Sequence, residues 1–221
     1  MNTSLKQRTV LAYTDGACKG NPGKGGWAFT LQVSEHVSRR EYFGYSPNTT
    51  NNQMELQAVI EVFNQYKPNP QKFAEVLIIH SDSNYVVNGV NQYLPNWKEN
   101  GWRKPDRKSI ANLEQWKALD GLLENLRQQG VTVQIVKVAA HADVEGNNLV
   151  DILASEAATL TSQQIQTRML GLITSASELN QQLQVVTDVM EGKKLNFAIQ
   201  DLYHKRAQYE ALLKEKEGVS E

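Results

Sequence analysis

The sequence predicts an α/β fold: a five-stranded mixed sheet flanked by helices, followed by a C-terminal α-helical hairpin. Three observations predict it. Short β-branched runs bounded by turn residues alternate with segments of helical period, in the order β-β-β-α-β-α-α-β-α. One continuous apolar run, Ala74 to Ile79, suits a strand buried on both faces. Beyond about residue 159 aromatics thin out, and apolar residues fall into a sustained heptad.

Thr9 to Thr14 is the first strand, stopping at Asp15-Gly16. Gly20-Asn21-Pro22-Gly23 and Gly25-Gly26 are turn chemistry. Trp27 to Val33 and Val37 to Tyr45 alternate well enough for two more strands, so hairpins open the fold. Asn51 to Tyr66 has a helical period, with Thr49 or Thr50 as cap and Pro68 and Pro70 beyond its end. Ala74 to Ile79 is the fourth strand, and Asp82 to Val90 a helix entered directly from it. Tyr93 to Ser109 breaks the pattern with tryptophans and basic residues. Asn112 to Gln129 is an amphipathic helix closed by Gly130, Val131 to Val138 the fifth strand, and Asn147 to Ala158 a helix. Ile165, Met169, Leu172, Ala176, Leu179, Leu183, Val186 and Met190 then follow an a/d spacing. Gly192-Lys193-Lys194 interrupts it, and Leu195, Ile199, Leu202, Tyr209 and Leu213 resume it, with Arg206 in one core slot. An αα-hairpin is the natural form, free to close on itself, to dimerise or to dock a protein partner through residues 160–221.

The 221 residues hold one domain of ordinary size plus an appendage, and 40% hydrophobic content suffices for a core. The net charge of -1 means that any polyanion affinity must come from a local patch. Cys18 is the only cysteine, which excludes an intrachain disulfide and suits a reducing compartment. Met1 to Thr9 lacks a signal-peptide core, and no segment approaches the roughly 20 apolar residues of a membrane span. A soluble cytoplasmic protein is expected.

Four acids stand in distinctive contexts: Asp15 in Tyr13-Thr14-Asp15-Gly16-Ala17, Glu55 in Asn51-Asn52-Gln53-Met54-Glu55-Leu56, Asp82 in His80-Ser81-Asp82-Ser83-Asn84, and Asp151 in Gly146-Asn147-Asn148-Leu149-Val150-Asp151. None has a basic neighbour in sequence. Each alone has a plainer reading: a turn residue for Asp15, a helix-face acid for Glu55, an N-cap for Asp82, a solvated helix residue for Asp151. Together, acids at the tips of buried elements repel one another, and divalent cations are the usual remedy. The pattern therefore points to a hard-metal site.

The order and contexts of these acids resemble type 1 ribonuclease H of the bacterial kind, over about residues 8 to 158. Asp15 to Gly23, Thr50 to Leu56, Ser81 to Val86, and His141 to Asn147 followed by Asp151 match that family's four motifs in order. Asn96-Trp97-Lys98 through Gly101-Trp102-Arg103-Lys104 to Trp116 is similar to its basic protrusion, about residues 93–112. The resemblance implies a ribonuclease H-like sheet in a catalytic domain of residues 1–158, with 159–221 as a helical extension. It implies metal-dependent hydrolysis of the RNA strand of RNA–DNA hybrids, giving 5′-phosphate and 3′-hydroxyl ends. Two Mg²⁺ ions are implied, with Mn²⁺ able to substitute. By resemblance Asp15 bridges both ions, Glu55 and Asp82 hold one, Asp151 holds the other, and His141 assists proton transfer or product release.

The resemblance extends to substrate binding. Asn21, Asn51, Asn52 and Asn84 match positions lining the minor groove, where the 2′-hydroxyl distinguishes RNA from DNA. Thr50 and Asn112 match a DNA-strand phosphate pocket, and Tyr85 and Tyr93 the channel for that strand's sugars. Lys98, Arg103, Lys104, Arg107 and Lys108 form a dense basic cluster suited to phosphates, with Trp97, Trp102 and Trp116 as its small core. Asn48 stands where well-known members carry arginine, and Ala140 and Asp143 where glycine is usual. Asp143, two residues from His141, is expected to raise the histidine's pKa. Two rival readings differ in class: an inactive hybrid-binding scaffold that works through its coiled coil, and a related nuclease acting on DNA.

Overall fold

Strands β1 (Lys6–Lys19), β2 (Gly23–Gln32) and β3 (Arg40–Thr49) form an antiparallel meander in the computed structural model, which describes residues 5–33, 39–139 and 145–218. β4 (Phe73–Ser81) and β5 (Thr132–Lys137) add in parallel beyond β1, giving the order β3-β2-β1-β4-β5. β1 runs further than its apolar stretch predicts. Its first part pairs with β4 through Thr14↔Ser81, and its second part pairs with β2 through Lys19↔Lys24. The ladder to β2 therefore carries the strand past Asp15-Gly16, where the hydrophobic signal has ended.

Helices cover both faces. α1 (Asn51–Gln65) and α4 (Leu113–Gln128) bury Leu56, Val59, Phe63, Trp116, Leu119 and Leu123 against Val10, Ala12, Phe29, Leu77 and Ile79 of the sheet. Thr50 caps α1 in a reciprocal box with Gln53. The helix expected from Asp82 is α2 (Asn84–Asn88), which runs through one π turn at Gly89–Tyr93 into α3 (Leu94–Glu99). At one end of the sheet, Glu75 of β4 is buried and receives Arg8 (2.6 and 2.9 Å), the Tyr66 hydroxyl (2.9 Å) and the Asn69 N–H (2.7 Å).

The other face carries α5 (Glu145–Thr159) and the hairpin of α6 (Ser162–Val185) and α7 (Val189–Glu217). Val150, Leu153, Ala154 and Ala157 of α5 join Ala28 and Phe43 of the sheet, Ile165 of α6 and Tyr209 and Leu212 of α7. The hairpin turns at residues 186–188, not at Gly192-Lys193-Lys194 as the interrupted heptad suggests. The Asp188 carboxylate accepts from the Glu191 N–H (2.8 Å) and starts α7, so Gly192 lies inside the helix and Met190 is exposed. A capping aspartate satisfies an orphan donor, whereas a glycine inside a helix costs only about 1 kcal/mol. Arg206 is half-buried and bonds Glu210 one turn on (2.8 Å).

α7 also closes the outer edge of β3. The Tyr45 N–H donates to Glu215 (2.8 Å), the Phe43 N–H to Gln208 (3.4 Å), and the Glu41 carbonyl meets His204 Nε2 (2.9 Å). Lys205 pairs with the Glu41 side chain (2.6 Å). These side chains satisfy backbone groups that an edge strand otherwise offers to other chains. Among the described residues, no helix is long and apolar enough to cross a membrane.

Candidate active site

The parallel register of β1 and β4 places two acids side by side. Thr14 pairs with Ser81, and Asp15 and Asp82 are the next residues along each chain. Ser83 caps α2 through its hydroxyl, accepting from the Val86 N–H (3.4 Å), so Asp82 is free of the capping role its position allowed. Glu55 comes from the second turn of α1, which lies directly on β1. At Gly16 any Cβ would stand 2.3 Å from the Glu55 nitrogen, so only glycine permits this approach. Asp151 comes from α5, whose Gly146 lies against the Tyr13 ring; a Cβ there would sit 2.4 Å from it.

Carboxylate oxygens of Asp15, Glu55 and Asp82 all lie within 4.8 Å of one another. Asp15 and Glu55 are buried, Asp82 half-buried. Asp15 receives the Gly16 N–H (2.7 Å), and Glu55 Oε1 receives Asn51 Nδ2 (3.4 Å), but the buried Glu55 Oε2 has no partner among the described residues. Burial first, then the charge of Asp82 and that of Asp151, pushes Asp15 up to about 7 against the opposing Gly16 N–H. Burial, then Asp15 and Asp82, drives Glu55 well above the usual carboxylate range, partly offset by Lys137. A cluster of hard oxygens that resists ionising by itself, with one acceptor unsatisfied, fits a divalent cation.

Two contributors escape a reading of the acids in sequence. Lys137, the last residue of β5, lies beside Ser81 in the parallel ladder and donates to the Asp82 carbonyl. Asn147, buried at the start of α5, donates to Asp82 Oδ2 (3.4 Å) and tethers α5 to the third acid. Lys137 carries no motif; its signal is its place at the tip of a strand parallel to β4.

The expected binding residues spread around this cluster. Asn21, Asn52 and Asn84 are exposed and Asn51 is half-buried. Asn21 Oδ1 accepts from the Asn51 N–H (3.0 Å), tying the β1–β2 turn to the start of α1. Thr50 is the α1 cap. Asn112 Nδ2 and Trp116 Nε1 both donate to the Tyr85 hydroxyl (3.1 and 3.0 Å). Tyr93 is exposed with its ring beside Trp97, and Trp97 packs edge-on against Trp116. Within the basic segment, Lys98 bridges Asp120 (2.9 Å) and Glu124 (3.2 Å) of α4, Lys108 pairs with Asp106 (2.8 Å), and Arg103, Lys104 and Arg107 are exposed. His141, Ala140 and Asp143 lie outside the described residues.

Acids crowded at the tips of β1 and β4 and on α1, with Asp151 of α5 beside Asp15, on a five-stranded mixed sheet suit a class of protein: the metal-dependent nucleases. The family model for RNase H matches residues 7–159. The Ribonuclease H of Chlorobium phaeobacteroides (strain BS1) is 43% identical over 152 residues, 68% of this chain and 96% of that protein. That of Francisella philomiragia is 41% identical over 157 residues, 71% of this chain and 95% of that one. The crystal structure of LC9-RNase H1, a type 1 RNase H with the type 2 active-site motif, matches with a TM-score of 0.59 at 27% identity. It covers 71% of this chain and 74% of that one. The chain belongs to the ribonuclease H family. Helices α6 and α7 lie beyond the matched residues.

Proposed function

We propose that the chain cleaves the RNA strand of RNA–DNA hybrids endonucleolytically with two divalent ions, Mg²⁺ or in its place Mn²⁺, leaving 5′-phosphate and 3′-hydroxyl ends. The observation that carries this is the convergence of Asp15, Glu55 and Asp82 within 4.8 Å around an unpartnered buried oxygen. Asp15, Glu55 and Asp82 would hold one ion, and Asp15 with Asp151 the other. Bound there, such ions offset phosphate charge and acidify the attacking water. Asn147 and Lys137 hold Asp82 in place from α5 and β5. Asn21, Asn51, Asn52 and Asn84 face the minor groove, and His141 assists the departing strand. Thr50 and Asn112 seat a DNA-strand phosphate, and Tyr85 and Tyr93 guide its sugars. Arg103, Lys104, Arg107 and Lys108 neutralise phosphates, while Lys98 mainly braces the protrusion on α4. Residues 1–158 form the catalytic unit and 159–221 an extension. A cytoplasmic setting suits the free thiol of Cys18.

Incubating a labelled hybrid, an RNA duplex and a DNA duplex with Mg²⁺ or Mn²⁺ tests this reading. Cleavage confined to the RNA strand of the hybrid is expected. Hybrid binding without cleavage under either metal would make the chain a scaffold, and cutting of the DNA duplex would make it a DNA-acting relative.

A further inference from the structure

The hairpin does more than cover a sheet edge: it completes a cationic cavity beside the β1–β2 turn. Lys19 and Lys24 stand directly opposite each other across that hairpin, flanking the turn that carries Asn21. Lys216, from the last turn of α7, reaches over the Tyr45 ring (4.0 Å to its centre) to the Ala158 carbonyl at the end of α5 (3.4 Å). The three lysines line a cavity of about 370 Å³ together with Tyr45, with Thr161, which caps α6, and with Ser162 of α6. Among the described residues, no acid lines it and none of the three lysines forms an ion pair.

Resting on the hybrid-cleaving function above, we propose that Lys19, Lys24 and Lys216 bind a backbone phosphate of the hybrid on the flank of the cleavage site, so that the C-terminal hairpin extends the substrate footprint. Three lysines gathered on one cavity, with Glu215 as the one carboxylate found to act on Lys216 and no ion pair among the described residues, leave net positive charge that suits a polyanion. Lys216 registers the crowding: burial first, then the charge of Lys24, push it down to about 8, with Glu215 opposing. An entering phosphate offsets the repulsion between Lys24 and Lys216 and favours the charged form of both. Continuity selects the occupant. The cavity adjoins the turn whose Asn21 is tied to Asn51 at the rim of the acid cluster, so a duplex seated on that rim passes the lysines.

The full-length chain tests this by anisotropy binding, without divalent metal, to a long hybrid and to one too short to reach the cavity, across a salt series. Lys19→Gln/Lys24→Gln/Lys216→Gln is expected to weaken long-hybrid binding about tenfold near 0.1 M salt and to flatten the salt slope by about one. The short hybrid should lose less than twofold. Lys216→Gln alone should reproduce part of the loss, and Lys194→Gln, at the far end of the hairpin, none. An unchanged slope in the triple variant overturns the proposal, whether or not the wild type cleaves. So does a variant that loses affinity for inorganic phosphate alone while keeping its hybrid affinity, since the site would then serve a free anion. Failure of the wild type to cleave any hybrid would strike the parent reading instead.

Discussion

Asp15 holds the central tension of the molecule. Its carboxyl is buried among Asp82, Glu55 and Asp151, and its pKa is about 7 rather than the ordinary 3.8. A raised carboxyl pKa favours the fold below the unfolded value, and that advantage is lost as pH rises through the folded value. Asp15→Asn should therefore raise the metal-free melting temperature by roughly 5 °C at pH 8, with the gain shrinking as pH falls through about 7 and gone below about pH 4. It should also abolish hybrid cleavage; calorimetry across pH and a cleavage assay read the two effects. Glu75 behaves in the opposite way. Burial alone would raise its carboxyl, but Arg8, the Asn69 N–H and Tyr66 outweigh burial and hold it below the ordinary 4.5. Its stabilisation is present above that value and lost as pH falls through the folded pKa. Glu75→Gln should cost about 3 kcal/mol at pH 7, and urea titrations should find the deficit shrinking in acid. The four acid motifs were legible in sequence because each sits in a distinctive run of neighbours. Lys137 and Asn147 were not assigned roles, because their meaning comes from Asp82, 55 and 65 residues away.

At the scale of elements, the close seat of α1 on β1 sets the site. Gly16→Ala places a Cβ against the main chain of Met54 and Glu55, which cannot give way as a flexible side chain could. The expected result is a loss of about 2 kcal/mol or more and weakened metal binding, measured by denaturation and by calorimetric metal titration. The turn of the α6–α7 hairpin is set by Asp188, and Asp188→Ala should cost about 1 kcal/mol, visible as fraying of α7 in hydrogen exchange. The heptad was legible from its spacing, but its turn was not. An N-cap and a glycine are competing stop signals, and the three-residue break at 186–188 satisfies the backbone where Gly192 would not.

For the whole molecule, the hairpin is part of the second core. Ile165, Tyr209 and Leu212 are buried with Phe43 and α5, and each such side chain contributes about 2 kcal/mol on burial. Glu215, Gln208 and His204 meet the outer backbone groups of β3. Removing residues 160–221 should lower the melting temperature and expose that edge, so the truncated chain should associate at concentrations where the full chain does not. Light scattering alongside thermal melts checks both outcomes. A truncated chain that melts and scatters like the full one would mean that the hairpin contributes no stability.

By itself the sequence determined the strands and helices, the four acids and their order, the family they resemble, and the presence of a helical hairpin. Those properties are local: periodicity, caps, turns and short motifs are written in neighbouring residues. Only the tertiary structure decided that Lys137 and Asn147 brace Asp82, that Glu55 keeps an unpartnered oxygen inside the cluster, and that the hairpin lies along β3. It also brought Lys216 to Lys19 and Lys24. Each depends on side chains far apart in the chain meeting through strand register and helix packing, and no local pattern carries that information.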